Sequence, residues 1–320
     1  MLEVLLRIPN QNIRMLHCRP SDAERATFVL RGFSKKASHY IAENKSETGD
    51  FWSDFADQPK PETQGKIAEE YQEMVQSAIK EIEQQVVQKV VLSRQFFWDC
   101  PNANAQETFN ALLKFYPTCT VFAIKHPEYG SWMGASPEVL LESTELGYRS
   151  MSLAGTRLKN ATRWGNKELE EQKFVTNEVH RSLKAFGGKI SRDKQTTFNA
   201  GPVEHLLTWI NTDNHSLDSK SLVEELHPTP AICGSPAEKA QEFIAQYEGY
   251  DRSLYAGYFG LFEQQVHATV LLRSMQWFTS GVQFYAGGGI TKDSVPLDEW
   301  METEHKISAL KELIQINDNR

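Results

Sequence analysis

The apolar residues that follow Pro59 and Pro61 recur at intervals of three and four, the spacing that places side chains on one face of a helix. The positions with this spacing are Ile67, Tyr71, Met74, Val75, Ala78, Ile79 and Ile82. Similar patterns predict helices over residues 107–115, 166–186, 219–226, 237–247 and 297–314. The helix at 166–186 is expected to end at Gly187, because glycine is common just beyond helix ends.

Runs of β-branched and aromatic residues predict strands between these helices. The predicted strands cover residues 89–98, 120–125, 138–143 and 148–154, with a strand pair inside 196–210. Three alternating runs at 254–262, 266–278 and 282–289 predict an antiparallel meander with a hairpin turn at Ser280 and Gly281. Residues 1–60 hold only short apolar pieces, which predict short strands and loops.

The order of these elements predicts the fold class. Helices and strands are interspersed without repeated βαβ units, which indicates an α+β protein with large, mainly antiparallel sheets. No repeat or low-complexity linker divides the chain. Residues 1–60 are therefore expected to be strands and loops of the same domain as residues 61–320.

Composition narrows the functional classes. The 320 residues carry a formal net charge of −8 and no long run of lysine or arginine, so no nucleic-acid partner and no polybasic membrane surface are expected. No apolar stretch approaches the length of about 18 residues that a membrane span needs, and no signal peptide is evident. The four cysteines form no CxxC pair, which favours a reduced, cytoplasmic protein.

Two charged residues adjoin predicted strands. Lys89 stands at the head of the strand-like run, and Glu138 follows a tight turn predicted at 134–138. Taken alone, each is ordinarily a solvated charge at a strand end. Together they offer a base and an acid.

Acidic residues open two of the predicted helices. Glu168, Glu170 and Glu171 lie near the start of the helix at 166–186, and Glu299 and Glu302 lie near the start of the last helix. Such acidic first turns commonly face solvent and complement the helix dipole. They also offer the carboxylates that Mg²⁺ prefers, since it usually takes one or two of them together with substrate and water.

The C-terminal meander carries groups suited to an anion. Arg273 follows two leucines, and Tyr285 precedes the glycine triplet at 287–289. Consecutive glycines expose backbone N–H groups and permit close approach by an anion, although a turn with positive φ is the ordinary interpretation. No periodicity in the sequence brings these segments together in space.

Eight segments, in this order, resemble the chorismate-utilising enzyme family over about residues 65–315. They are KVVLSR (89–94), GASPEVLL (134–141), SLAGTR (152–157), HPTPAICGSP (227–236), YDRSLYAGYFG (250–260), LLRS (271–274), YAGGGI (285–290) and PLDEWMETEHK (296–306). The family includes isochorismate synthase, salicylate synthase, and component I of anthranilate synthase and of aminodeoxychorismate synthase. The resemblance implies a single domain with two large antiparallel sheets stacked face to face and flanked by helices.

The resemblance also implies roles for individual residues. Lys89 matches a general base that activates water, and Glu138 matches the general acid that protonates the departing C4 hydroxyl. Glu171 and Glu302 match two ligands of Mg²⁺, which holds the ring carboxylate of chorismate. The remaining matches are to substrate-binding or nearby positions, and they are Gly155, Thr156, His227, Arg273, Tyr285, Gly288, Gly289, Glu299 and Lys306.

One position departs from the family pattern. The first metal motif usually has a histidine directly after the glutamate, whereas this chain has Gln172. Glu170 is therefore a competing candidate for the metal ligand. Lys167, four residues before Glu171, favours Glu171.

The resemblance favours isochorismate synthase among the family's reactions. Lys89 indicates water as the nucleophile, since the ammonia-using members typically lack this lysine. Aminodeoxychorismate synthases often carry a lysine where this chain has Ala154. Salicylate synthase, which goes on to eliminate pyruvate, remains an alternative, as do the aminating enzymes and an inactive chorismate-binding protein.

The expected activity is a Mg²⁺-dependent conversion of chorismate to isochorismate that feeds menaquinone or siderophore biosynthesis. The expected partner is chorismate, a small dianion, and the protein is expected to be a monomer or a weak homodimer. The presence of Lys89, Glu138 and both metal glutamates favours an enzyme over an inactive binding protein.

Overall fold

The computed structural model describes residues 1–46, 48–61, 65–159, 163–201 and 203–317. Six helices lie within these residues, and each predicted helix is confirmed to within a few residues. They are α1 Ala68–Glu83, α2 Ala105–Phe115, α3 Asn166–Ala185, α4 Ser219–Leu226, α5 Ala237–Tyr247 and α6 Pro296–Lys311. None of the helices in the described ranges is long and apolar enough to cross a membrane.

Nineteen strands complete the described structure. They are β1 Leu2–Arg7, β2 Arg14–Pro20, β3 Phe28–Arg31, β4 Ser38–Lys45, β5 Lys89–Asp99, β6 Ala103–Asn104, β7 Thr120–His126, β8 Gly130–Ser136, β9 Val139–Ser143, β10 Tyr148–Leu158, β11 Ile190–Arg192, β12 Thr196–Ala200, β13 Val203–Thr212, β14 Gly234–Ser235, β15 Tyr258–Phe262, β16 Val266–Val270, β17 Ser274–Phe278, β18 Gly281–Ile290 and β19 Gln315–Ile316. Most strands predicted from the sequence are among them. The prediction of one meander over 254–289 is wrong, because the run at 266–278 is interrupted at 271–273: β16 pairs with β15, and β17 pairs with β18.

Seventeen of the strands form one antiparallel sheet with two halves. The first half runs in the order β14-β5-β18-β17-β8-β7-β1-β2. The second half runs β4-β3-β15-β16-β9-β10-β13, with β11 and β12 along the outer edge of β13. The expected fold class is confirmed, but pairing between β2 and β4 joins the two expected sheets into one hydrogen-bonded network.

The main hydrophobic core lies between the two halves. The rings of Phe122 on β7 and Phe259 on β15 meet across it, with centroids 5.8 Å apart. Because alternate residues of a strand point to opposite faces, Val121 and Ala123 instead join a second core on the outer side of the first half. That core contains residues of α2 and α6, which positions α6 beside β18.

Two sequence interpretations differ from the structure. Residues 134–136 end β8 rather than forming a tight turn, and all seven residues of β8 are buried between β7 and β17. The glycine-rich sequence of β8 concealed this strand. Residues 287–289 continue β18, where they pair with β5, and their φ angles lie outside the positive range that a glycine turn would need.

Candidate active site

A cavity lies where the two halves of the sheet face α3 and α6, and most of the predicted site residues line it. Its wall includes residues of each implied group, namely Glu138, Gly155, Thr156, Glu171, Arg273, Tyr285, Gly289, Glu302 and Lys306. Lys89, Gly288 and Glu299 contact these residues directly. The fold therefore brings together segments that are up to about two hundred positions apart in sequence.

Glu138 sits in the short connection between β8 and β9, and its side chain is 2% exposed. The hydroxyl of Thr229 donates to its Oε1 over 3.2 Å. Burial raises the pKa of this carboxyl from 4.5 to about 7, although Thr229 and the charge of Lys89 oppose the shift. Glu138 can therefore carry a proton near neutral pH, which a general acid requires.

Lys89 begins β5 in the first half of the sheet and is 3% exposed. Its Nζ donates to Glu171 Oε1 over 2.7 Å, so strand β5 and helix α3 meet at this ion pair. Glu138 lies where the chain crosses from β8 in the first half to β9 in the second, and the charge of Lys89 acts on its pKa, so the fold brings a candidate acid and a candidate base to one site.

Helix α3 presents Glu171, not Glu170, to the cavity. Glu170 is exposed to solvent, whereas the Glu171 side chain is 15% exposed and contacts Lys89. Successive helical residues are about 100° apart, so only one of the two can face inward. The geometry thus favours the register that Lys167 suggested, and Lys167 itself donates to Glu299 Oε1 over 2.6 Å.

Three carboxylates gather beside the glycine triplet, and their donor set suits a hard divalent cation. Glu171 pairs with Lys89, Glu299 with Lys167, and Glu302 with Lys306 at 2.7 Å. Within the described ranges these acidic groups do not yet converge as a set of three metal ligands. Glu299 Oε2 is nevertheless buried and has no hydrogen-bond partner among the described residues. Because buried polar atoms normally have a partner, this oxygen is suited to bind a cation or a water molecule of its coordination shell.

The neighbouring charges shift the pKa values of Glu302 and Glu299 in opposite directions. Burial alone would raise the pKa of Glu302, but Lys306 and Lys167 hold it below its usual range. Burial and the neighbouring charge of Glu302 raise the pKa of Glu299. Lys167 and Lys306 compensate part of this negative charge, and a bound cation would stabilise the same carboxylates further.

The glycines make room for these carboxylates. A Cβ on Gly289 would lie 2.6 Å from Glu171 Oε1 and 2.7 Å from Lys89 Cε. A Cβ on Gly288 would lie 2.9 Å from Glu299 Oε2. Both glycines are thus required by the close approach of acidic side chains to β18.

Arg273 supplies positive charge at another part of the wall. It lies between β16 and β17 with φ of +47°, a conformation that costs a non-glycine residue about 1–3 kcal/mol and often occurs at functional sites. Its Nη2 contacts His205 Nε2 at 2.9 Å, and its buried Nη1 has no partner among the described residues. The free nitrogen can donate to an anionic ligand.

His205 on β13 lines the cavity and was missed by the sequence reasoning. Burial and the charge of Arg273 lower its pKa to about 3, so the ring is neutral. Since arginine only donates, Nε2 accepts from Arg273, and Nδ1 donates to the carbonyl of Gly155 over 3.0 Å. His205 on β13 pairs with Thr156 on β10, and this strand pairing places its ring in the cavity. No local pattern in the sequence predicts that pairing.

Tyr285 lines the cavity with its ring rather than with a free hydroxyl. The hydroxyl donates to Gln276 Oε1 over 2.9 Å. The ring stacks on Trp132 and on Tyr255, with centroids 4.9 and 5.5 Å away. These contacts fix the ring as a flat apolar wall.

The structure does not place His227 on the cavity wall. Its ring is 3% exposed and packs in the core against Phe33 and Tyr258, and Nε2 contacts the carbonyl of Ala256 at 2.9 Å. Burial lowers its pKa to about 3. His227 contacts Ala256, which lines the cavity, but is not itself part of the wall, so the structure argues against direct substrate contact.

Comparison with known families identifies the class of protein. The family described as chorismate binding enzyme matches residues 29–315, nearly the whole chain. The chain belongs to this family, which confirms the resemblance. The match begins earlier than residue 65 and includes β4 and nearly all of β3, but not β1 and β2.

Several curated relatives are named isochorismate synthase, and one at 24% identity is anthranilate synthase component 1 of Aquifex aeolicus. Isochorismate synthase MenF of Escherichia coli is 29% identical over 258 residues, which are 76% of this chain and 60% of that protein. MenF of Bacillus subtilis is 28% identical over 314 residues, 91% of this chain and 63% of that protein. The chain thus spans somewhat under two thirds of the length of these curated relatives.

A solved structure supports the fold. The crystal structure of the menaquinone-specific isochorismate synthase MenF from Escherichia coli superposes with a TM-score of 0.80 at 22% identity, covering 98% of this chain and 89% of that one. At this level of identity the likeness establishes the fold and leaves the activity to be argued from the site.

Proposed function

We propose that this protein is an isochorismate synthase, an isomerase that converts chorismate to isochorismate. The observation that carries the proposal is the buried Glu138, whose pKa of about 7 suits a general acid and which lies close enough to Lys89 for the charge of that lysine to act on it. The names of the MenF relatives support the same activity. Its product would feed menaquinone or siderophore biosynthesis.

The reaction adds one water and releases another. The oxygen of the incoming water bonds to C2 of the ring, the double bonds shift, and the C4–O bond breaks. Lys89 is the base that takes a proton from the incoming water, which requires that its Nζ first give up the proton it donates to Glu171 in this structure. Glu138 gives its proton to the departing hydroxyl, which leaves as water, because hydroxide alone is a poor leaving group.

We propose Mg²⁺ as the cofactor, held by Glu171 and Glu302 with Glu299 nearby. The position of the three carboxylates beside Gly288 and Gly289 and the unpartnered Glu299 Oε2 support this assignment, although the three do not form a metal-ligand group in the described residues. The bound ion would neutralise the ring carboxylate of chorismate and orient the ring. Lys167 and Lys306 keep the cluster compact through their ion pairs with Glu299 and Glu302.

The second carboxylate of chorismate, on the pyruvyl group, is assigned to Arg273. The unpartnered Nη1 supports this role, and neutral His205 orients the guanidinium without adding charge. Gly155, Thr156 and the backbone around Gly289 complete the same wall. Tyr285 contributes its ring face rather than its hydroxyl.

A product assay tests the proposal. The purified protein is incubated with chorismate and Mg²⁺, with and without ammonium, and the products are separated by chromatography. We expect isochorismate as the main product even when ammonium is present. Salicylate with pyruvate would indicate a salicylate synthase, anthranilate or aminodeoxychorismate would indicate an aminating enzyme, and no turnover would contradict the proposal.

Lys89→Ala sharpens this assay. If Lys89 only activates the nucleophile, the variant should form no isochorismate at any chorismate concentration. Ammonium at mildly alkaline pH should then restore some turnover to an aminated product, because ammonia needs no such base. Full isochorismate formation by this variant would remove Lys89 from the mechanism.

We also propose that residues 1–60 belong to the same domain as residues 61–320, since β1 pairs with β7 and β3 pairs with β15.

We propose that the protein is cytoplasmic and is a monomer or a weak homodimer. The free thiols of all four cysteines support a reducing compartment. Size-exclusion chromatography with light scattering measures the oligomeric state.

A further inference from the structure

Gln172 is the residue at which the chain departs from the family pattern, and the structure buries it completely. Its Nε2 lies 3.0 Å from the carbonyl oxygen of Ser152 and 3.3 Å from the hydroxyls of Ser152, Thr176 and Thr208. Helix α3 is thus hydrogen-bonded to both strands beneath it, since Ser152 lies on β10 and Thr208 on β13.

Gln172 is the first residue of the buried stripe of α3, which continues through Val175, Thr176, Val179 and Leu183. The first of those later residues, Val175, lies one turn beyond Glu171. Nearer the cavity, α3 is restrained by the Lys167–Glu299 ion pair and by close packing of Glu168 against Gly155. Lys89 holds the Glu171 carboxylate directly at 2.7 Å, and Gln172 is the buried side chain of α3 that fixes the helix next to Glu171.

The rotation of α3 determines where the Glu171 carboxylate lies. A side-chain end stands about 6 Å from the helix axis, so a rotation of about 20° moves it by about 2 Å. Mg²⁺ binds oxygen at about 2.0–2.1 Å with little tolerance in geometry. A small rotation of α3 is therefore enough to remove Glu171 from the coordination sphere.

We propose that Gln172 is a positioning residue that locks the rotation of α3 and thereby directs Glu171 to the metal site. The inference rests on the proposed function, because Glu171 is a metal ligand only there. Gln172 touches neither substrate nor metal and acts through its neighbour. Loss of such an outer contact typically weakens metal binding about 10–100-fold.

Gln172 is expected to contribute to stability as well as to the position of Glu171. The Oε1 of Gln172 has no hydrogen-bond partner among the described residues, so the amide is only half satisfied. Ser152 Oγ and Thr176 Oγ1 remain hydrogen-bonded to each other at 2.9 Å when the amide is removed. Gln172→Leu, of similar volume, removes the donor to the Ser152 carbonyl and the Thr208 hydroxyl, so we expect it to lower the free energy of unfolding. Metal affinity is therefore measured at a temperature where both the variant and the wild type are folded.

The test measures metal binding directly, by calorimetric titration of the substrate-free protein with Mg²⁺ and by Mn²⁺ binding followed by electron paramagnetic resonance. Gln172→Leu should raise the dissociation constant at least about tenfold. Gln172→His keeps an N–H donor that can reach the carbonyl of Ser152 and should restore most of the affinity. Chorismate turnover by Gln172→Leu should recover toward the wild-type kcat at high Mg²⁺.

Gln283→Leu is the matched control. Gln283 on β18 is 1% exposed, and neither polar atom of its side chain has a partner in the described part of the chain. The same chemical change there should leave Mg²⁺ affinity unaltered.

Two outcomes would overturn the inference: a Gln172→Leu protein that binds Mg²⁺ within about twofold of the wild type, or an equal loss in Gln283→Leu. If the wild type itself bound no Mg²⁺, the proposed cofactor would fail first, which is a distinguishable result. If Gln172→Leu does not fold, Thr208→Val, which removes one acceptor of the same amide, repeats the test and should weaken Mg²⁺ binding in the same direction.

Discussion

Replacing Glu138 with glutamine should remove a pH dependence from both the stability and the turnover of this protein. Burial raises the pKa of Glu138 from 4.5 to about 7. Each pKa unit corresponds to about 1.4 kcal/mol, so ionising this carboxyl destabilises the folded state by about 3 kcal/mol relative to the unfolded chain.

The sign follows from the direction of the shift. A carboxyl with a raised pKa contributes stability that is fully present below its unfolded pKa of 4.5 and is lost as pH rises through about 7. The free energy of unfolding of the wild type should therefore fall between pH 4.5 and 8 by about 3 kcal/mol more than that of Glu138→Gln. Urea denaturation at several pH values measures this difference.

The pH dependence of turnover should also follow the protonation of Glu138. If protonated Glu138 is required, kcat/KM should fall about tenfold per pH unit above 7. Glu138→Gln should bind chorismate but lose about 10²–10⁴-fold in kcat, because the binding groups remain while leaving-group protonation is lost. Isothermal titration with chorismate separates binding from turnover.

Glu142, on β9 just after Glu138, provides the control for the pH dependence of stability. Burial would raise its pKa, but hydrogen bonds from His267 and the charge of Arg149 lower it below the usual value. Glu142→Gln should therefore lose stability at neutral pH and approach the wild type as pH falls, the opposite of Glu138→Gln. Equal pH profiles for wild type and Glu138→Gln would refute the reasoning for Glu138.

Three further predictions concern the metal cluster and the core. Glu171→Gln should raise the Mg²⁺ concentration needed for half-maximal activity at least about tenfold, while exposed Glu170→Gln should behave as wild type; the reverse pattern would exchange their roles. Gly289→Ala should abolish most activity without unfolding the protein, since the new Cβ would lie 2.6 Å from Glu171 Oε1, and circular dichroism with a product assay checks both parts. Phe259→Ala should reduce the free energy of unfolding by about 3–5 kcal/mol, because the ring lies fully buried between the sheet halves; chemical denaturation showing a loss below about 1 kcal/mol would contradict that packing.

Local pattern in the sequence was enough to determine the helices and most strands. The spacing from Ile67 to Ile82 predicted α1 because helical periodicity reflects which side chains are buried. The sequence pattern did not predict β8, because its glycines and serines have low strand propensity. Burial between β7 and β17 stabilises this strand instead. The union of two sheets through β2 and β4 is equally invisible to local pattern.

The candidate residues were found through ordered motifs, and their spatial arrangement came only from the tertiary structure. Lys89 and Glu171 are 82 positions apart, and only the packing of α3 on the sheet makes them an ion pair. Burial raised the pKa of Glu138, and strand register brought His205 to the cavity while leaving His227 behind its wall. A sequence specifies which chemical groups exist and their local periodicity, whereas pairing and desolvation arise between distant segments and decide what those groups can do.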